Sequence, residues 1–532
     1  MNIFEYFKKK GIDTIDSSFY TKIAIWDSWY RSNVKRFHQY RVYHGAGQYT
    51  RCQRKSLGMA KKICEDISDL LLNERVKITV KDKTTADFVQ AVLNAANFAV
   101  QGNEYQERKA ACGTVAYVPY LTDMEVDDEG RVISASVKLD YVVAKNIYPT
   151  AWENSRITEV IFVFAKTYKR KKYAQFQHHK LEPWKGENDE DLGHQYVIEN
   201  TVVECSSGAG RDLTPEEWNA IPHFAGLAAR VETGSDQPQF VIDKLNIANN
   251  VDEDDTNPMG VALFANSLDI LAKLDLEYDS YANEFTLGRK RIFVAPELLT
   301  GVDGSQVFDP DDSVFYKLPE DYFKDTKEAM HEINMELRVQ EHEQAINNDL
   351  NLLSFKCGFG TQYYRFERGA LATATQVISE NSDMYRTIQK HEIILHDALE
   401  DLIRIIIRLG KTANVSGLVE NTEITITFDD SIIEDKQSER NEDRKDVSMG
   451  VMGLPEYRAK WYGETEEEAA GKLPDQSDGV IMKPWTTATT ACWLTEWRSS
   501  SGLWKCRSWR TSSGGSGRRA PSPTPLTGRS SA

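Results

Sequence analysis

The chain has 532 residues, 41% hydrophobic and 27% charged, the balance of a folded protein with room for more than one structural unit. Its net charge of −17 is unevenly placed: residues 483–532 hold eight Lys/Arg and one acidic residue, whereas the first 482 hold 56 basic and 80 acidic side chains and so carry −24. So acidic a body excludes the tight grip on nucleic acid that comes from neutralising phosphates, and no apolar run reaches the roughly 18 residues of a membrane span.

The N-terminus, MNIFEYFKKKGID, has no apolar signal core, which argues against export. Seven cysteines, at 52, 64, 112, 205, 357, 492 and 506, include no CxxC. An odd, scattered set reads as free thiols in a reducing cytosol.

Residues 1–110 read mostly helical. SLGMAKKICEDISDLLLNERVKI (56–78) spaces Met59, Ile63, Ile67, Leu70 and Leu71 along a helix face. Residues 113–205 read β. Val137, Leu139 and Tyr141 alternate with polar neighbours, ITEVIFVFAKTY (157–168) is β-branched and aromatic, and YAQFQHHKLE follows a KRKK turn. DDEG at 127–130 has the composition of a hairpin turn.

From about 206 to 258 the chain is loop-rich and ends in VDEDDTNP, after which Pro258 suits the first turn of a helix. In that helix Phe264, Leu268, Leu271, Leu274, Tyr278, Tyr281 and Phe285 form one stripe at gaps of three and four. Asp269, Glu277 and Glu284 lie opposite, and Asp275 intrudes on the stripe. About 29 residues at 1.5 Å each predict a rod of roughly 40 Å.

Residues 290–326 are short and irregular, with turn chemistry at GVDG and DPDD. A second long helix is expected over about 327–353, with Met335, Val339, Ile346, Leu350 and Leu353 on one side. SFKCGFGTQYYRFERG (354–369) is glycine-punctuated and aromatic. A third helix, about 371–409, carries Met384, Ile388, Leu395, Leu399, Leu402, Ile406 and Leu409 in register, and Gly410 falls where a C-terminal cap belongs. A strand, TEITITF (422–428), precedes a charged helical segment ending in EYRAKWYGETEEEAAGKL (456–473), where Thr465 and Glu468 have capping-box spacing.

Tests for chemistry fail one by one. GKT at 410–412 would need glycine at 405 for a phosphate loop, and that position is Ile405. His-Glu pairs at 331–332, 342–343 and 391–392 would need a second histidine at 335, 346 and 395, which are Met335, Ile346 and Leu395. His178 and His179 are adjacent on a strand and point to opposite faces. No G-x-S-x-G elbow is present. DEDD at 252–255 lacks the later glycine and glutamate of a calcium loop and reads as a solvated linker. KTYKRKK (166–172) reads as a charged hairpin turn before it reads as a phosphate contact. No cofactor, metal or catalytic residue is expected.

Four segments together carry a resemblance: AIWDSWYRSNVKRFHQY (24–40), SLGMAKKICEDISDLLLNERVKI (56–78), ANSLDILAKLDLEYDSYANEFTLGRKRIFV (265–294) and TATQVISENSDMYRTIQKHE (373–392). They resemble, in the right order, the portal proteins of tailed phages of Gram-positive bacteria, over roughly residues 1–480. The resemblance implies an α+β portal fold, with long stem and wing helices, a β-rich wing, a small clip and a helical crown. It implies a ring, typically of twelve subunits, at one capsid vertex, through which double-stranded DNA enters during packaging and leaves during ejection. Implied partners are further copies of the chain, major capsid and scaffolding proteins, terminase and head-tail connector proteins, with no membrane. The implied location is the virion, and the host cytoplasm during assembly. Energy for packaging would come from the separate terminase, so the chain is expected not to be an enzyme.

Carried over by segment, residues 1–258 are the wing, 259–289 the first stem helix, 290–331 the clip, 332–353 the second stem helix and 354–369 the tunnel loop. Residues 370–431 are the long wing helix and strand, and 432–482 the crown. Within the tunnel loop Lys356, Arg365 and Arg368 are candidates for transient phosphate contacts, with Tyr363, Tyr364 and Phe366 shaping the loop or packing on the next subunit. Asp269, Glu277 and Glu284 are candidates for an acidic lumen face that keeps the duplex off the wall. The stripe from Phe264 to Phe285 would pack stem helices side by side. Arg289, Lys290 and Arg291 would pair with acids of a neighbour or touch DNA near the exit.

Residues 483–532 depart from that pattern. They hold five of the eleven tryptophans and no Ile, Val, Phe, Tyr or Asp. They end in a basic Ser/Gly/Pro-rich stretch of disordered composition. The abrupt break after IMK favours a shifted reading frame or a cloning junction over a DNA-touching tail; a phage-derived chain whose intact mass includes this tail would sink that reading. Two other functions stay open from sequence: a phage DNA-processing enzyme (nuclease or packaging ATPase) and a non-channel minor capsid protein.

Overall fold

The computed structural model describes residues 2–43, 49–73, 76–127, 132–185, 191–205, 208–288, 291–294, 315–317, 330–333, 336–364, 374–428, 436–462 and 465–473. Two compact units are resolved, Met1–Lys445 and Asp446–Ala532.

Helices α1 (Ile3–Lys10) and α2 (Ser17–Tyr30) open the first unit. Asn2 and Asp16 cap them by accepting from Phe4 N and Ser18 N. A hairpin unannounced by the helical reading follows, β1 (Gln39–Tyr43) and β2 (Tyr49–Gln53), each pairing, among the described residues, only with the other. Then come α3 (Met59–Leu71), β3 (Lys77–Val80), α4 (Lys83–Ala95) and α5 (Phe98–Cys112). Met59, Ile63, Ile67 and Leu71 of α3 are buried as the spacing predicts. The helix stops at Leu71, however, and Lys77–Val80 is strand.

The β region holds β4 (Thr114–Val126), β5 (Val132–Val143), β6 (Ile147–Glu153), β7 (Arg156–Tyr168), β8 (Lys171–Lys185), β9 (Asp191–Glu204) and β10 (Arg211–Asp212). Strands β6 to β10 form an antiparallel meander, ordered β10-β9-β8-β7-β6. Lys169 and Arg170, both at positive φ (46° and 67°), make the two-residue turn between β7 and β8. KRKK is therefore turn chemistry. Of DDEG, residues 128–130 lie outside the described residues; the antiparallel strands on either side fit a hairpin. After α6 (Pro215–Asn219), β11 (Arg230–Glu232) pairs β9, and β12 (Val241–Lys244) completes a second sheet, β12-β4-β5.

Next come α7 (Leu268–Leu287), the three-stranded group β13 (Arg291–Val294), β14 (Phe315–Lys317) and β15 (Met330–Ile333), then α8 (Val339–Lys356), α9 (Ala374–Thr412) and β16 (Ile424–Thr427). Strand β16 pairs antiparallel with β3. Helix α10 (Lys436–Met449) runs to the second unit, which holds α11 (Leu454–Tyr462) and α12 (Glu466–Gly471). Thr465 caps α12 by accepting from Glu468 N. This mixture of helices and mainly antiparallel sheets is the expected α+β class.

The main core gathers α2, α3, α5 and α9 around the β12-β4-β5 sheet. The stripe from Met384 to Leu409 is buried along its whole length, with Leu395, Leu399 and Ile406 at 0% exposure. Gly410 does not cap α9. It lies inside the helix, where a Cβ would stand 2.5 Å from the Phe88 ring, so the glycine serves close packing with α4.

Two helix starts differ from expectation. Residues 259–264 do not join α7, which begins at Leu268 and has 20 residues. At 1.5 Å each, that shortens the rod to about 30 Å. The reason is tertiary. Gly260 N donates to Thr114 Oγ1 (2.8 Å) and Leu263 N to Ala110 O (2.9 Å). Gly113, at φ +84°, passes so close that its Cβ would lie 2.3 Å from Gly260 O. Backbone tied to α5 and β4 cannot also close helical bonds. The second helix likewise starts at Val339, because Met330–Ile333 pair with β13.

Candidate channel-lining site

The α7–α8 pair is the centre of the candidate site, and carboxylates hold it on two sides. On one side α7 is fastened to the segment after α2. Asp275 is 5% exposed. Its Oδ1 accepts from Leu57 N (2.8 Å) and its Oδ2 from His38 Nε2 (2.9 Å), while the Ser56 hydroxyl reaches both oxygens (3.0 and 2.9 Å). His38 Nδ1 accepts from Val34 N (2.9 Å), which leaves the ring proton on Nε2, facing Asp275. One turn on, Asp279 accepts from Lys55 N (3.1 Å). The residue that spoils the apolar stripe in the sequence is thus a fully bonded latch.

On the other side α7 meets α8 through charge. Lys273 reaches Asp349 (2.9 Å) and Glu277 (3.6 Å). Burial, then the facing Asp349, raises the Glu277 carboxyl above its ordinary pKa. Near the far end Glu284 takes a two-point bond from Arg338, with Nε at 3.0 Å and NH2 at 2.9 Å. That bond holds its carboxyl down at about 2. The His342 ring lies 5.4 Å from the Tyr281 ring.

After α8 the chain packs before it leaves the described residues. Ser354 Oγ donates to Gly360 O (2.7 Å), Phe359 and Tyr363 stack at 5.0 Å, and the Tyr364 hydroxyl donates to Asp66 of α3 (2.7 Å). Lys356 Nζ is tied to Asn266 O (2.5 Å).

This order is helix, small sheet, antiparallel returning helix, packed aromatic segment and a 39-residue helix. The family model described as phage portal protein, SPP1 Gp6-like, matches residues 9–479. The chain belongs to this portal family. No curated protein matches it. Portal proteins are structural components of the phage virion that assemble as rings, and among the described residues no helix is long and apolar enough to cross a membrane.

Of the stripe expected to pack this portal's stem, Phe264, Leu271 and Leu274 are buried, Leu268, Tyr278 and Tyr281 are half-buried, and Phe285 is 47% exposed. Phe264 precedes the helix, and Ile270, absent from the expected stripe, is buried. Of the expected acidic face, Asp269 is exposed, whereas Glu277 and Glu284 are engaged by Lys273 and Arg338. Of the tunnel-loop candidates, Lys356 and Tyr363 are exposed and Tyr364 is buried. Arg365, Phe366 and Arg368 lie outside the described residues, as do Arg289, Lys290, the GVDG and DPDD turns and the tail 483–532.

Sequence reasoning missed the latch and a second buried cluster. Lys109 and Asp243, both 0% exposed, pair at 2.9 Å, with Gln106 donating to Asp243 (2.7 Å) and to Tyr117 (2.8 Å). Only a lysine and a glutamine falling on the inner face of α5 could have hinted at it. His391 is buried and accepts from Asn246 N (3.1 Å); burial, with Lys109 and Lys390 nearby, lowers its pKa to about 3.

Proposed function

We propose that this portal protein forms a ring at one capsid vertex, the passage by which double-stranded DNA enters during packaging and leaves during ejection. The carrying observation is the α7–α8 pair: two antiparallel helices bracketing a small three-stranded group and fastened on one flank to the wing by Asp275 and Asp279. A tube wall needs such a stiff repeating rod, and it needs no catalytic group. In this reading residues 290–331 form the clip, which receives terminase and later the connector proteins. Capsid and scaffolding proteins surround the wing, and the ring has twelve subunits. The tunnel loop facing DNA begins beyond Tyr364, whose hydroxyl is tied to Asp66 of α3.

Electron microscopy of the purified full chain, with the mass of the assembled particle, tests the proposal. Rings with a central opening of roughly 20 Å or more, the width of a B-form duplex, are expected. Chains that stay monomeric even with scaffold and capsid protein present would overturn it.

A further inference from the structure

The β1–β2 hairpin carries an exposed face of polar and aromatic residues. Its register matches like with like: Gln39 faces Gln53, Arg41 faces Arg51 and Tyr43 faces Tyr49. Alternation places these three pairs on one face, and all six residues are exposed. Two arginines directly opposite on a two-stranded ribbon repel each other, and neither has an acidic partner among the described residues. A paired ribbon without further strands is marginal by itself. The surrounding sequence sharpens the point. Residues 28–64 hold nine Lys/Arg and no Asp or Glu, within a body that is strongly acidic elsewhere.

The hairpin is also aimed. As the chain runs back from Leu57 to Lys55, its contacts climb α7 from Asp275 to Asp279. The hairpin therefore leaves toward the C-terminal half of α7, the level at which Tyr281 meets His342 of α8. At its base Arg54 stacks on Phe37 (4.3 Å) and Tyr40 (5.2 Å) and donates to Phe37 O (2.9 Å), which fixes the exit direction. At that same level α8 exposes Glu341 and Glu343; Glu341 feels the nearby Arg338, which Glu284 already engages, and Glu343 has no basic partner among the described residues. They stand on opposite flanks of α8, so whichever flank meets a neighbour presents one of them.

We propose that the Gln/Arg/Tyr face of this hairpin docks on the acidic flank of α8 in the adjacent subunit of the ring. The inference rests on the ring reading above, which supplies the second copy. Arginine and tyrosine are the residue types that anchor protein interfaces. Docking brings a carboxylate to the arginine pair and removes its self-repulsion.

The test compares ring populations of the full-length chain by native mass spectrometry at physiological salt. Arg41→Glu with Arg51→Glu should lower the ring fraction about tenfold or more at micromolar protein. Glu341→Arg with Glu343→Arg should do the same, and the four changes together should restore rings. Circular dichroism of each variant should match wild type, since all four positions are exposed. Wild-type rings with equally abundant rings in the arginine variant overturn the inference alone, as do four-fold variants that fail to recover. Wild-type chains that form no rings even with scaffold and capsid protein present overturn the ring reading and this inference with it. Intact variant rings that have lost binding to a duplex of about 30 base pairs would assign the face to phosphates instead.

Discussion

Replacing Asp275 with leucine separates two views of α7. Read as a stripe, the helix should welcome Asp275→Leu, because burying the larger apolar side chain contributes about 1.5–3 kcal/mol. In the structure the same change strips an acceptor from Leu57 N, from His38 Nε2 and from the Ser56 hydroxyl in a site that is 5% exposed. Ser56 can turn to Ser32 Oγ, 3.1 Å away. The other two donors, the buried His38 ring and the half-buried Leu57 N–H, lose their partner, at about 1–3 kcal/mol each, with more lost because the bonds end on a charged acceptor. The net expectation is a loss of about 2–4 kcal/mol at the latch. Hydrogen exchange reads this locally: the amides of Lys55 and Leu57 should exchange roughly 30- to 1000-fold faster in the variant, provided opening is local. Unchanged or slower exchange at these two amides, with equal or higher resistance to urea, would refute the latch.

Three further changes probe other parts of the first unit. The His179 ring is fully buried between Phe162 (5.5 Å) and Phe240 (5.3 Å), neither ring nitrogen has a partner among the described residues, and burial lowers its pKa to about 3. The unfolded ring, with a pKa near 6.5, binds a proton the folded one refuses, so stability is full above about pH 6.5 and falls with pH down to about 3, by about 2 kcal/mol at pH 5. His179→Phe should flatten that fall and stabilise the chain by about 1 kcal/mol or more at pH 7 in urea titrations; an unchanged pH profile would count against this assignment. Gly113→Ala puts a Cβ 2.3 Å from Gly260 O at φ +84° and should cost more than about 3 kcal/mol, read as loss of soluble protein; normal yield would contradict the backbone crossing. Arg338→Ala should return the Glu284 carboxyl from about 2 toward the ordinary carboxylate range in an NMR titration. The depressed value means that the pair's stabilisation is present above the unfolded pKa of about 4.3 and is lost as pH falls toward 2.

How far the fold could be read from sequence depended on where each cause lay. Helix α9 was legible because its core contacts repeat along one face, and the 3.6-residue period writes them directly into the sequence. The turn between β7 and β8 was legible because it is local. The start of α7 was not, because what stops the helix is Thr114 and Ala110, far away in the chain and invisible to any window. The hairpin β1–β2 was missed because its two faces differ little in polarity, with Tyr, Arg and Gln on one and Tyr, Val, Thr and Cys on the other. The latch joins residues 237 positions apart and the buried Lys109–Asp243 pair residues 134 apart. In both cases the sequence shows only an isolated polar residue on an apolar face, which a stripe analysis scores as a flaw.

The same lesson changes the electrostatic reading of α7. Counted along the sequence, the helix carries five carboxylates, Asp269, Asp275, Glu277, Asp279 and Glu284, and looks like an acidic wall. Four of them are engaged. Asp275 and Asp279 are buried against the segment from His38 to Leu57, Glu277 shares Lys273 with Asp349, and Glu284 is clamped by Arg338. Only Asp269 is both exposed and without a partner among the described residues. A field that holds DNA off a wall comes from charge left over after pairing, and it is screened within about 8–10 Å at physiological salt. The acids of α7 therefore act first as fasteners of the rod to its surroundings. Any repulsion felt by a duplex must draw on carboxylates that remain exposed in the assembled ring, and these have to be counted after pairing.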